Sequence, residues 1–248
     1  MGNSRWHCAE ACGFPNPRIR HLRPEEGLAW LGAAAPLGWA AVGAMPPGDA
    51  LDPRFRLQTP DVPLRDVPPW LGVDRALAGW MAWRLQGSAV LVADGGTVLS
   101  LTHIDAAGGF RGGRLMGGLS LQLTAMAEGT AALPEPPAPS ALEALLAGGA
   151  WPRDTRSAMV VGVAHGLADA LASALLELRR TDPGCVLVLT GGDGETLLPL
   201  VRVALGAGPT ASEGPAPVTL EADLALRGLM ALRPRAMPDQ VSPRSAST

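Results

Sequence analysis

Ala89-Val90-Leu91-Val92-Ala93-Asp94-Gly95-Gly96-Thr97-Val98-Leu99-Ser100-Leu101-Thr102-His103-Ile104 is two apolar runs joined by an aspartate, two glycines and a threonine. Each run is short and bounded by turn residues. The stretch therefore reads as two strands, 88–93 and 98–104, joined by a tight turn. A third strand, 110–115, is expected after the turn at Gly108-Gly109.

Chemistry-bearing residues gather around this hairpin. Leu71-Gly72-Val73-Asp74-Arg75 stands before it. Gly112-Gly113-Arg114-Leu115-Met116-Gly117-Gly118 and Gly129-Thr130-Ala131-Ala132-Leu133-Pro134 follow it. Aspartate, threonine and arginine thus sit beside glycines at the ends of strand-like segments. Phosphate chemistry uses that combination: glycines let backbone N–H groups approach, hydroxyls hold the oxygens, and a carboxylate handles protons or cations.

Composition narrows the classes. The chain has 248 residues, 47% of them hydrophobic, which is enough for one large domain or two smaller ones. Net charge is −3, with no basic block, so neither nucleic acid nor an anionic membrane surface is an expected partner. All 20 Lys+Arg residues are arginine. Without lysine there is no P-loop lysine, no protein-kinase strand lysine and no Schiff base. Cys8, Cys12 and Cys185 are expected to be reduced thiols of a cytoplasmic protein. Residues 28–45 are uncharged, but Gly32, Pro36, Gly38 and Gly43 interrupt them. They read as a helix end, a turn and a buried strand at 38–45 rather than a membrane span. The start shows no signal-peptide pattern.

Working outward, Met1 to Arg5 reads as a turn and Trp6 to Ala9 as the strand after it, with the strand that should precede the turn missing. Helices are expected at 24–31, 75–86, 118–128, 140–146, 156–180, 195–205 and 221–232. Ser140 is expected to cap the fourth of these. Further strands are expected at 55–58 and 185–189. The segment after Arg233 reads as disordered. Gly2-Asn3-Ser4 before a strand resembles Gly95-Gly96-Thr97 before a strand, as a duplicated hairpin would.

These motifs, with Asp154-Thr155 and Thr190-Gly191-Gly192-Asp193, resemble in order and spacing the type III pantothenate kinases of the acetate and sugar kinase, Hsp70 and actin superfamily. The resemblance implies an α/β fold of two ribonuclease-H-like, actin-like halves, 1–85 and 86–232, flanking a nucleotide cleft, with 233–248 as a disordered tail. It implies ATP-dependent phosphorylation of pantothenate to 4′-phosphopantothenate, the first step of coenzyme A biosynthesis. The alternative is a non-catalytic nucleotide-binding or regulatory relative.

The implied roles follow residue by residue. Gly72, Val73, Asp74 and Arg75 match the pantothenate-contacting motif, with Asp74 as general base. Gly2, Asn3, Ser4, Arg5 and Thr97 match ATP-phosphate contacts, and Gly191 and Gly192 the adenosine side. Asp94 matches the aspartate that holds a monovalent cation, K+ or NH4+, alongside Mg2+ with ATP. Thr155 matches a threonine that reaches pantothenate from the partner subunit, which implies a homodimer with shared active sites. Read locally, each has another meaning: Asp74 as a helix cap, Asp94 as a turn residue, Arg75 as an ion-pair partner, Thr155 as a helix N-cap. The chain departs from the family pattern at the aspartate expected before Gly2, at Gly117, at Asp154 and in having no tyrosine.

Overall fold

A computed structural model of the chain describes residues 6–10, 18–32, 35–43, 51–206 and 218–233. Contacts divide the chain into two compact units, 1–58 with 229–248, and 59–228.

In the first unit, β1 (Trp6–Glu10) and β2 (Arg18–Leu22) form an antiparallel pair, with Trp6 opposite Leu22 and His7 opposite His21. Helix α1 (Pro24–Leu31) follows. Proline opens it, where a missing N–H costs nothing, and the Glu26 carboxylate accepts the Arg23 N–H at 2.8 Å. Gly27 lies flat on the Trp6 ring, where any Cβ would collide. The strand expected at 38–45 does not form over its described residues. Only an isolated bridge joins Trp39 to Arg56. The buried Trp39 holds that segment by its indole N–H, which donates to the Asp52 carbonyl at 2.8 Å. A single 3-10 turn, Pro53–Phe55, stands at the start of the strand expected at 55–58. Proline at its first position and an Asp52 carboxylate accepting the Arg54 N–H favour a turn over a strand.

The second unit is built on one mixed sheet. In chain order it contains α2 (Val73–Gln86), β3 (Val90–Gly95), β4 (Val98–Ile104), β5 (Phe110–Gly117), α3 (Leu119–Glu128), α4 (Leu142–Ala147), α5 (Thr155–Leu178), β6 (Val186–Gly191), α6 (Gly194–Ala204) and β7 (Val218–Leu220). The spatial order is β5-β4-β3-β6-β7. β3, β4 and β5 are antiparallel neighbours because tight turns join them, whereas β6 returns parallel to β3 through the helical crossover α3–α5. β7 adds parallel to β6. This is the ribonuclease-H-like strand order, and the fold is α/β. The last helix, α7 (Leu224–Leu232), begins in this unit.

α5 covers one face of the sheet. Val160, Ala164, Leu167, Leu171 and Leu175 recur at helical spacing and pack with Leu91, Ala93, Leu99, Leu101, Leu187 and Leu189. By length and composition α5 could cross a membrane, but most of it is buried in this core. α2 covers the other face: a Cβ on Gly79 would lie 3.1 Å from the Ile104 side chain and 3.6 Å from that of Thr102. The cysteines described, Cys8 and Cys185, are buried free thiols, and burial pushes the Cys185 thiol up to about 11.

Several boundaries differ from expectation. β2 and β7 form where no strand was expected, and α7 starts at Leu224 rather than 221. Ser140 caps nothing: a 3-10 turn, Pro139–Ala141, runs directly into α4. Residues 234–248 lie outside those described.

Candidate active site

Strand register places the central residues. On β3, Val90, Val92 and Asp94 share one face, and Leu91, Ala93 and Gly95 the other. Asp94 stands opposite Ser100 on β4 and Thr190 on β6, one residue before the strand ends. Its face is the one α2 covers.

α2 starts with Gly72 as N-cap, which has no side chain to cap with. Asp74, the second helical residue, turns its carboxylate back to accept the Arg75 N–H at 2.8 Å. A carboxylate in the first turn also complements the helix dipole. Val73 is buried and anchors the start of the helix. Arg75 lies against β4, where Nε donates to Thr102 Oγ1 at 3.0 Å and Nη2 to the Leu101 carbonyl at 2.9 Å. Thr102 is itself buried. Gly113, opposite Thr102 on β5, leaves room for that guanidinium: a Cβ there would run into Arg75 and the Leu101 carbonyl. Burial lowers the Arg75 pKa, and Asp74 opposes that shift.

Three loops meet at the end of β3. The Asp94–Thr97 turn is held by Gly118, whose N–H donates to the Thr97 carbonyl at 2.9 Å. It is also held by Asp193, whose N–H donates to the Gly95 carbonyl at 3.1 Å. Close approach explains the glycines. A Cβ on Gly95 would stand 2.9 Å from Asp193 Cβ, and one on Gly118 would strike the Gly96 carbonyl. Gly191 has φ +81°, and a Cβ there would strike Asp94 Oδ1 and the Gly95 carbonyl.

The site is electronegative. The Asp94 carboxyl is pushed up to about 6, first by burial, then by the charges of Asp74 and Asp193. Burial also raises Asp193, and the Leu119 N–H partly offsets it. Among the described residues no arginine forms an ion pair with Asp94 or Asp193. Carboxylate oxygens beside the Gly95 carbonyl are hard donors, the kind that K+ or Mg2+ prefers. The crowding of like charge gives a cation something to offset.

The structure therefore brings Asp74 and Asp94 within electrostatic reach and sets Gly191 against Asp94. Thr97 lies exposed in the turn, and Gly191, the last residue of β6, and Gly192 after it are exposed. Thr155 is the exposed first residue of α5, where Asp154 caps the helix by accepting the Ser157 N–H at 2.9 Å. Gly2, Asn3, Ser4 and Arg5 lie outside the described residues. Residue patterns alone did not single out Thr102, which seats Arg75, or Asp193. Asp193 closes Thr190-Gly191-Gly192-Asp193, directly after the glycines that the sequence singles out.

Comparison with known proteins follows the same segments. The sequence profile of the family described as type III pantothenate kinase matches residues 59–176. A protein of that name from Synechococcus sp. (strain JA-3-3Ab) is 42% identical over 187 residues, 72% of this chain and 69% of that protein. Another, from Thermosynechococcus vestitus, is 35% identical over 209 residues, 83% of this chain and 80% of that protein. With two further Synechococcus proteins of the same name the match spans 58% of their length. Among solved structures, an activator of a 2-hydroxyisocaproyl-CoA dehydratase from Clostridium difficile, with bound ADPNP, aligns at TM-score 0.49 and 10% identity, covering 94% of this chain and 90% of that one.

Proposed function

Because the chain belongs to the type III pantothenate kinase family, we propose that it phosphorylates pantothenate with ATP to give 4′-phosphopantothenate, the first step of coenzyme A biosynthesis. The observation that supports this reading most directly is the juxtaposition of Asp74, on the first turn of α2, with Asp94, at the end of β3. Phosphoryl transfer needs little covalent chemistry from the protein. It needs the acceptor hydroxyl, the γ-phosphate and the compensating charges held in line.

In this reading Asp74 accepts the proton of the attacking primary hydroxyl of pantothenate. Arg75 keeps the donors of Nη1 for the substrate carboxylate, since β4 takes Nε and Nη2. Gly72 and Val73 shape the backbone beside them. Thr97 and the backbone of Gly191 and Gly192 meet the nucleotide, together with Gly2, Asn3, Ser4 and Arg5. Asp94 with the Gly95 carbonyl would hold K+ or NH4+, and Mg2+ would accompany ATP. Bound there, a cation supplies positive charge to the transferring phosphoryl group. Thr155 reaches the pantothenate site of a partner subunit in a homodimer. The halves 1–85 and 86–232 and a cytoplasmic location belong to the same proposal, and buried reduced thiols at Cys8 and Cys185 suit that compartment.

Asp74→Asn tests the reading. It keeps size and polarity and removes proton acceptance. In an ATP-, Mg2+- and potassium-dependent assay on pantothenate, turnover should fall by about 10²–10⁴-fold. Nucleotide affinity should stay near wild type. Near-normal turnover with a lowered melting temperature would instead make Asp74 a helix cap.

A further inference from the structure

We propose that Thr102 is a positioning residue for the acceptor substrate: from β4 it holds Arg75 so that one edge of the guanidinium stays turned out for the carboxylate of pantothenate. This rests on the reading of Arg75 as the residue that grips that carboxylate.

A threonine suits a strand, but burial works against its hydroxyl. Thr102 is 2% exposed, and a valine there would have the same shape with no polar atom to desolvate. Among the described residues the buried polar side chains are Ser100, Thr102 and Thr190. Ser100 and Thr190 stand opposite Asp94, and Thr102 opposite Val92, so all three lie on the sheet face that α2 covers. The sheet is therefore polar where it meets the site, and Thr102 is the member that faces Arg75.

The methyl and the hydroxyl of Thr102 address two residues of α2. A Cβ on Gly79 would lie 3.6 Å from Thr102 Cγ2, and Thr102 Oγ1 accepts the Arg75 Nε–H at 3.0 Å. Positions 75 and 79 share one face of the helix. A β-branched side chain wedged beneath that face has little freedom at χ1, so the acceptor is fixed. The Leu101 carbonyl, next on the same strand, accepts from Nη2 at 2.9 Å. The Leu101 side chain is anchored in the core on the opposite face. Gly113, opposite Thr102 on β5, removes the side chain that would otherwise stand where the guanidinium lies.

Nε and Nη2 form one edge of the planar guanidinium, and β4 takes that edge. The edge that remains, Nη1 and the second N–H of Nη2, matches the two oxygens of a carboxylate. Without Thr102 Oγ1, the Nη2 bond alone would hold the group, and its plane could turn. The loss falls on substrate binding, because an arginine already held in its working geometry gives up less freedom when the substrate arrives. Thr102 acts through Arg75 and needs no contact with pantothenate.

The test is a double-mutant cycle between Thr102→Val and Arg75→Ala in the ATP-, Mg2+- and potassium-dependent assay, with Thr102→Ser as the rescue. Thr102→Val should raise the KM for pantothenate by about tenfold, the effect of one lost hydrogen bond to a charged group. Its kcat and its KM for ATP should stay within about threefold of wild type. Thr102→Ser keeps the hydroxyl and should stay within about threefold for both substrates. Placed on Arg75→Ala, Thr102→Val should lower kcat/KM for pantothenate no further, because its partner is already gone. Additive losses would overturn the proposal, as would an unchanged KM in Thr102→Val or equal losses in the Val and Ser variants. If Thr102→Val does not fold, NMR of the wild-type protein without substrate decides: the Arg75 Nε–H must exchange slowly, and rapid exchange there sinks the proposal. A wild-type protein that binds pantothenate without phosphorylating it overturns the kinase reading, and the same cycle is then read from pantothenate affinity by calorimetry. Failure to bind pantothenate overturns both.

Discussion

Asp94 is costly where it stands. Its pKa is pushed to about 6 from an ordinary 3.8 by burial and by two neighbouring carboxylates. A carboxyl whose folded pKa lies above its unfolded value favours folding below the unfolded pKa and loses that advantage as pH rises through the folded one. In cation-free protein, Asp94 ionised at pH 8 therefore works against folding by up to about 3 kcal/mol. Asp94→Asn should raise the melting temperature at pH 8, and the difference should shrink between pH 6 and pH 4. Thermal melts across that range check it, and a constant difference would refute the burial argument. Potassium should narrow the gap at pH 8 by stabilising the wild type, and activity should be far lower in sodium than in potassium. Equal rates in the two salts would remove Asp94 from the cation site. Asp94 and its glycines were legible in the sequence because an aspartate-glycine turn between two apolar runs carries a local signature. The place of Asp193 was not legible, because its backbone bond to Gly95 joins distant segments and the local rule assigns Asp193 to its own helix.

The β5 strand shows how an element serves the site without touching the chemistry. It lies at the edge of the sheet, and Gly113 within it gives up side-chain packing so that Arg75 can lie on β4. Gly113→Ala should force β5 away from the Leu101 carbonyl or expel the guanidinium, at a cost of about 1–3 kcal/mol. If Arg75 holds pantothenate, the KM for pantothenate should rise while nucleotide affinity changes little. Unchanged melting and kinetics would mean that the strand yields freely. The hairpin β3–β4 and the helix α5 were readable because their patterns are long and regular. β7 was not readable, since three residues paired only through β6 carry no period of their own. Over its described residues, 38–43, the strand expected at 38–45 does not form, for the opposite reason. Its apolar content is real, but Trp39 spends it on one buried ring and a single bridge rather than on a ladder.

At the scale of the whole molecule, the residues proposed for one reaction lie at the starts of two helices, Asp74 on α2 and Thr155 on α5. Thr155 is exposed, and Asp154 already supplies the cap of α5, so the hydroxyl of Thr155 is not spent on starting the helix. If Thr155 completes the site of a partner subunit, each active site draws Asp74 from one protomer and Thr155 from the other. Mixing two inactive variants then has an arithmetic outcome. Asp74→Asn and Thr155→Ala, co-refolded in equal amounts, form heterodimers in half of the population. Each heterodimer holds one site with both lesions and one with none. Activity should therefore recover to about a quarter of the wild-type value, where each variant alone gives little. If Thr155 serves the site of its own chain, every site in the mixture keeps one lesion and no activity returns. Light scattering on the same samples distinguishes that outcome from a failure to dimerise, and an active monomer would end the shared-site proposal.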